Sequence, residues 1–439
     1  MKVLMFGWEF PPYISGGLGT ACFGLTKQLS KKNVAITFVL PKIKGEINNA
    51  GIRVIGGQNY VYEEMEEIKK SAEFLEKEIR VSSSLRPYLS FSTYKEYLDQ
   101  LKKTEGEFNF IKEQVETSKS LSRSQSIDFS GDYGDDLLSE VTRFAVVGRL
   151  LAKKEDFDVI HAHDWMTFLA GVEAKRQSGK PLVVHVHATE IDRSGENGNQ
   201  DIFNLEKYGM ENADKIITVS HRTKDIVVNK YGIHPDKVSV VHNGVDLDEI
   251  YQYDKNNRPF KRDKIVLYLG RITMQKGPDY FLEAANLVLQ RKKNVRFVMA
   301  GSGDMTRKLI TRMADLRIAD RFHFTGFLGK TEREKLFAMS DLYVMPSVSE
   351  PFGITPLEAM RYNMPIIISK QSGVAELLDN VIKVDFWDIH KLASSIVDVL
   401  EEPGLTETTE SNWEILKKMD WGFAAQKVIN VYSECLSRR

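Results

Sequence analysis

Ser349-Glu350-Pro351-Phe352-Gly353-Ile354-Thr355-Pro356-Leu357-Glu358-Ala359-Met360 is the stretch whose reading decides the fold. An apolar, strand-like run, Asp341-Leu342-Tyr343-Val344-Met345-Pro346, precedes it. A Pro/Gly turn then opens into residues that can start a helix. A strand, a glycine turn and a helix N-terminus leave backbone N–H groups unpaired, and such groups suit an anionic phosphate. Glu350 and Glu358 stand eight positions apart around that turn. Carboxylates repel phosphate but accept hydrogen bonds from sugar hydroxyls. One segment thus offers ligands for both halves of a sugar nucleotide, its diphosphate and its hydroxyls.

Outward from this stretch, β-branched runs alternate with helical patterns. Val34–Leu40, Val159–Ala162, Leu182–Val186, Ile216–Val219 and Val238–Val241 read as buried strands. A second series comprises Ile265–Leu269, Val295–Ala300, Phe322–Phe324, Leu342–Met345 and Ile366–Ile368, with helices such as Phe281–Leu289 and Glu332–Met339 between them. Strand–helix alternation implies parallel sheets covered on both faces. Two series imply an α/β chain of two doubly wound, Rossmann-like domains, each binding ligands at the carboxyl ends of its strands. The expected division is 1–248, a polar linker 249–262 around Asp254-Lys255-Asn256-Asn257-Arg258-Pro259, a second domain 263–420 and a last helix within 421–439. Residues 58–135 break the alternation. Met65, Ile68, Ala72, Leu75 and Ile79 predict an amphipathic helix there, and the serine-rich 118–130 reads as a loop. This insertion is read as a charged surface element or as a flap beside the ligand crevice.

The chain's 439 residues exceed one ordinary core, and its 42% apolar and 28% charged composition is that of a globular protein. A net charge of −1 gives no global electrostatic reason to expect nucleic acid or a membrane surface. Cys22 and Cys435 make neither a disulfide framework nor a thiolate metal site, so a reducing cytoplasm is expected. The run Met1–Gly7 is too short for a signal peptide and reads as a first strand. No run of about twenty apolar residues predicts a membrane span.

Several motifs carry chemistry. The first strand leads into Tyr13-Ile14-Ser15-Gly16-Gly17-Leu18-Gly19-Thr20, where adjacent glycines allow close backbone approach to a ligand or simply a tight turn. His161/His163 and His185/His187 are two His-x-His pairs. On strands each pair shares a face and could chelate a metal, but no third ligand at suitable spacing is evident, and no metal is expected. His163-Asp164-Trp165 and His187-Ala188-Thr189-Glu190 each end a strand, the side that faces the crevice. In the second half, Gly270-Arg271-Ile272-Thr273-Met274-Gln275-Lys276-Gly277 ends a strand with two cations. Arg271 and Lys276 either converge on a diphosphate or lie solvated at the surface. No P-loop is present.

Together these residues resemble retaining glycosyltransferases of the GT-B fold, particularly glycosyltransferase family 4 and the glycogen and starch synthases. The matching positions are Gly16-Gly17, His163-Asp164-Trp165, His187, Arg271 with Lys276, and Glu350 through Glu358. They recur in family order along nearly the whole chain except 58–135. The resemblance implies two domains facing a deep cleft that closes around the donor, with the last helix crossing back to the first domain. It implies that Arg271 and Lys276 stabilise the departing nucleoside diphosphate. Gly16, Gly17 and the N–H groups near Gly353, Ile354 and Thr355 would approach the phosphates. Glu350 would bind donor-sugar hydroxyls, Glu358 the ribose hydroxyls, His187 the sugar near the reacting carbon, and Asp164 would face the acceptor. No carboxylate is left as a nucleophile, so the implied reaction is a front-face substitution in which the leaving phosphate deprotonates the acceptor. No metal or cofactor is implied, because the two cations replace a metal's charge.

The expected partners are ADP-glucose or UDP-glucose and an α-1,4-glucan acceptor, giving a glycogen synthase-like enzyme. The first loop departs from the Lys-Thr-Gly-Gly-Leu of bacterial glycogen synthases, and Phe352 stands where those enzymes usually have cysteine. Both departures lean toward family 4 or the shorter glycogen synthase-like enzymes and leave the donor base open. Alternatives are a family 4 transferase acting on another saccharide or envelope acceptor, a GT-B-fold UDP-sugar epimerase, and a non-enzymatic glucan-binding protein.

Overall fold

The computed structural model describes residues 1–11, 16–43, 47–49, 51–57, 137–247, 251–254, 258, 260–402 and 410–437. The expectations for 58–135 fall outside these residues, as does part of the expected linker. The described residues form two compact units. One holds the chain up to Gly244 together with the helix that begins at Trp421, and the other is Val245–Asp420.

The first unit is built on strands β1 (Lys2–Phe6), β2 (Ala35–Leu40), β3 (Ile47–Asn49), β4 (Ile52–Gly56), β5 (Val159–His163), β6 (Leu182–Val186), β7 (Lys215–Thr218) and β8 (Val238–Val240). Their order is β3-β4-β2-β1-β5-β6-β7-β8, parallel throughout except for the antiparallel β3–β4 pair. Helices lie on both faces, so β5 and β6 are buried at every position. That is why these strands read as unbroken apolar runs rather than alternating ones. The core includes Phe144 of the helix Leu137–Lys154, which meets Phe6 and Trp8 edge-on, each with ring centres 5.8 Å apart. The helix Trp421–Ser437 belongs to this unit and packs on the helix Gly17–Lys31. At Gly24 a side chain's Cβ would lie 2.3 Å from the Trp421 indole, so only glycine admits this approach. The Tyr432 hydroxyl of the same helix lies 2.6 Å from His161 Nδ1 on β5.

The second unit carries β9 (Lys264–Leu269), β10 (Val295–Ala300), β11 (Phe322–Gly326), β12 (Leu342–Met345), β13 (Ile366–Ser369) and β14 (Ile382–Val384). All are parallel, in the order β11-β10-β9-β12-β13-β14. Phe281 meets Phe297 and Phe322 edge-on in its core.

Strands β3, β4 and β14 lie outside the series anticipated from sequence. Two of them are three-residue strands at sheet ends, too short for an apolar pattern to register. In each sheet the chain reverses direction of growth once, between β1 and β5 in the first unit and between β9 and β12 in the second. Ligands of doubly wound folds bind beyond the strand ends at such switch points. The candidate motifs follow β1, β5 and β6 in one unit and β9 and β12 in the other.

Candidate active site

In the second unit, the loop after β9 places Arg271 and Lys276 on one turn. Arg271 Nη2 donates to Gln275 Oε1 at 3.0 Å, and the Tyr268 phenol donates to the Arg271 carbonyl at 2.7 Å. The buried Gln275 also ties this turn to the segment after β12, because its carbonyl accepts from Val348 N at 2.9 Å and Ser349 N at 3.3 Å. Lys276 Nζ reaches Glu350 Oε2 at 2.5 Å, and the Ser347 hydroxyl donates to the same oxygen at 3.3 Å. Glu350 itself is fixed from both sides of its backbone, with Glu350 N bonded to Gln371 O at 3.0 Å and its carbonyl accepting from Gly373 N at 2.9 Å. An ion pair this well sheltered is stronger than an exposed one, since water screens it less.

Gly353 enters the helix Ile354–Met360 at φ +102°, and an added Cβ would crowd Met345, Glu350 and Val374 at 3.2–3.3 Å. Glycine is required there both by backbone and by space. The Thr355 hydroxyl hydrogen-bonds the buried Tyr343 phenol of β12. Glu358, on the same helix, sits 3.3 Å from Arg333 Nη2 of the helix Lys330–Met339. Burial pushes the Glu358 carboxyl up, and Arg333 and Arg361 oppose that shift. The two glutamates therefore have separate surroundings, one held by Lys276 and the other beside Arg333.

In the first unit, Asp164 follows β5 with φ 60° and ψ 167°, a combination that only glycine adopts without strain. Its Oδ1 accepts from His187 N at 2.7 Å and Ala188 N at 3.3 Å, which fixes the loop after β6. Burial raises its pKa to about 6, with Glu9 adding to the rise, while Arg193 and the two N–H donors oppose it. His163 Nδ1 lies 2.9 Å from His187 Nε2, so one proton bridges the rings. Burial holds His187 at a pKa of about 3, a neutral imidazole at physiological pH.

His161, His163, His185 and His187 form one stack, with ring centres 4.3 Å apart within the first pair and 4.2 Å within the second. Cys22 of the helix Gly17–Lys31 brings its sulfur to within 4.8 Å of ring nitrogens of His163 and His187. Side chains distant in sequence gather around the histidine pairs: Cys22 beside His163 and His187, and His185 beside His161 and His163. At the start of that helix, Glu9 Oε2 accepts from Gly16 N at 3.1 Å and Gly19 N at 3.2 Å. A carboxylate of the chain thus caps the N-terminus where the glycines predict an anion.

The family described as "Glycosyltransferase Family 4" matches residues 134–249, and the one described as "Glycosyl transferases group 1" matches 250–414. The protein is a GT-B glycosyltransferase. An uncharacterised glycosyltransferase of Methanocaldococcus jannaschii is 28% identical to it over 98% of each chain. A glycogen synthase of Mycobacterium tuberculosis is 27% identical over 63% of the transferase and 68% of its own length. Among solved structures, sucrose-phosphate synthase from Thermosynechococcus elongatus shares the fold with a TM-score of 0.73, at 16% identity over the full length of both chains.

Within the transferase, the structure joins Lys276 to Glu350 and sets Arg271 on the same turn. It joins Asp164 to His187 through the backbone. Gly17 opens the helix Gly17–Lys31 with open space where a side chain would stand. Glu9, Gln275, Arg333 and Arg193 carry no motif that singles them out in sequence. Glu9 is buried between the buried aromatics Trp8 and Phe10, and a buried acid needs partners. Among the described residues no helix is long and apolar enough to cross a membrane.

Proposed function

We propose that the transferase moves glucose, with retention of configuration, from ADP-glucose or UDP-glucose to an α-1,4-glucan. The observation that carries this reading is the Lys276–Glu350 pair at the switch point of the second sheet, on a turn shared with Arg271. A cation bonded to a carboxylate suits a ligand whose leaving group is anionic and whose neighbouring ring carries hydroxyls. In the reaction, the bond from the anomeric carbon to the diphosphate oxygen breaks and a bond to the acceptor's 4-hydroxyl oxygen forms. The acceptor proton passes to the leaving diphosphate. Lys276 and Arg271 stabilise the charge that develops on that group, and such fixed cations act most strongly where water is scarce.

Glu350 takes the sugar hydroxyls in this reading and Glu358 the ribose hydroxyls. The backbone of Gly16, Gly17, Gly353, Ile354 and Thr355 approaches the phosphates. His187 serves the sugar as a neutral hydrogen-bonding group, and Asp164 lies on the acceptor side. No metal or cofactor enters the reaction. The glycogen synthase relative supports glucose and a glucan as the transferred group and acceptor.

A donor screen with glycogen as acceptor, read as release of UDP or ADP, tests the proposal. Transfer with one glucose donor and a loss of at least about 100-fold in Lys276→Ala, with the fold retained, is expected. Near-normal turnover in that variant sinks the site assignment. Epimerised sugar appearing from UDP-N-acetylglucosamine without any acceptor sinks the transfer reaction itself.

A further inference from the structure

We propose that Gln275 is a positioning residue for transfer, its side-chain amide aiming the Arg271 guanidinium at the departing diphosphate without neutralising it. This deepens the proposed function and rests on its reading of Arg271 as a leaving-group cation.

Gln275 lies in the tight turn Met274–Lys276 and is only 4% exposed. A polar side chain so buried is there to bond something. Its Oε1 accepts from Arg271 Nη2 at 3.0 Å, while its main-chain carbonyl accepts from Val348 N at 2.9 Å and Ser349 N at 3.3 Å. The two attachments act on different groups. The carbonyl fixes the turn against the segment that leads from β12 into Glu350. Gly277 keeps that approach close, since a Cβ there, at φ +62°, would lie 2.1 Å from the Pro346 carbonyl oxygen. The backbone thus registers Lys276 with Glu350, and a substitution at position 275 leaves those main-chain bonds in place. The side chain reaches Arg271.

Arginine has a long, rotatable stem, and ordering its fork before the substrate arrives removes that entropy cost from the reaction. The Tyr268 phenol holds the Arg271 carbonyl at 2.7 Å, so main chain and guanidinium are both pinned. An amide suits the second task better than an acid. A carboxylate at this place would form a charge-assisted pair with Arg271 and compete with the diphosphate for it. A neutral oxygen accepts the same bond without taking up that charge.

Calorimetric titration of the full-length protein with UDP and with ADP tests the role, because either product resembles the departing group. Gln275→Met keeps the length of the side chain and the main-chain carbonyl but loses the acceptor. It is expected to bind the nucleoside diphosphate at least about 10-fold more weakly, with kcat falling in step. Acting through Arg271, it should weaken binding no further when added to Arg271→Ala. Full additivity of the two changes would show a merely structural role and overturn the proposal. Should Gln275→Met unfold, Gln275→Glu decides. That variant keeps an acceptor on Arg271 yet sets a carboxylate against the diphosphate, so the same 10-fold loss is expected and parent-like affinity refutes the account. Parent-like affinity in a folded Gln275→Met, with Arg271→Ala weakened, overturns the role of Gln275 and leaves the function standing. Parent-like affinity in Arg271→Ala itself sinks the reading of that cation and this proposal with it.

Discussion

Asp164 concentrates two costs in one residue: a strained backbone and a carboxyl without water. Its φ of 60° with ψ of 167° costs about 1–3 kcal/mol for any residue with a Cβ. Burial, the largest influence, lifts its pKa from 3.8 to about 6. A carboxyl whose folded pKa lies above its unfolded value holds its proton longer in the folded state. Stability therefore falls as pH rises between about 4 and 6, and the full cost remains above 6. Asparagine removes the charge and keeps an oxygen to accept from His187 N and Ala188 N. Asp164→Asn is expected to be more stable than the parent at pH 7.5 by about 1–3 kcal/mol, with the gain shrinking toward pH 4. Urea unfolding across that range measures it, and a difference that does not change with pH refutes the account. The residue was legible in sequence as the acid after a strand, in His163-Asp164-Trp165. Its strain was not, because φ depends on how the β5 end meets the loop after β6, a contact between segments far apart in sequence.

Short elements depend on single positions in the same way. The helix Ile354–Met360 starts from Gly353 at φ +102°, wedged against Met345, Glu350 and Val374. Alanine there meets an unfavourable backbone and three contacts tighter than normal. Gly353→Ala is expected to cost about 1–3 kcal/mol. It should also shift Glu350 away from Lys276, lowering transfer more than stability accounts for. Activity measured well below the variant's unfolding temperature separates the two effects, and full activity there would mean that the turn only supports the fold. This turn was readable because glycine after proline in a strand–turn–helix pattern leaves few conformations. The strands were readable for a similar reason, since burial on both faces writes an unbroken apolar run. The supports of the loop after β6 were not. Arg193 donates to Glu206 at 2.9 Å and to the Ala188 carbonyl at 3.1 Å, and Glu206 also holds the Tyr231 phenol. These charges sit on ordinary helical positions, and nothing in their spacing says that they are buried together.

At the scale of the whole molecule, the chain leaves its first unit at Gly244 and returns to it at Trp421. The return is anchored by Trp421 against Gly24 and by the Tyr432 hydroxyl on His161. From sequence, this return rested on family resemblance alone, because an amphipathic helix shows which face it buries and not what it is buried against. The anchors make the first unit's stability depend on the last residues of the chain. Gly24→Val places side-chain atoms where the Trp421 indole lies, and overpacking of this kind costs about 1–3 kcal/mol or more. Tyr432→Phe removes a buried hydroxyl and leaves His161 Nδ1 without it, a loss of about 1–3 kcal/mol. Both changes fall within one unit, so their effects should stay there. Amide hydrogen exchange is expected to quicken in Gly17–Lys31, β5 and Trp421–Ser437 while β9, β10, β12 and β13 keep their protection. Equal acceleration in both sheets would show that the two units unfold as one, and that the returning helix stabilises more than the unit it rests on.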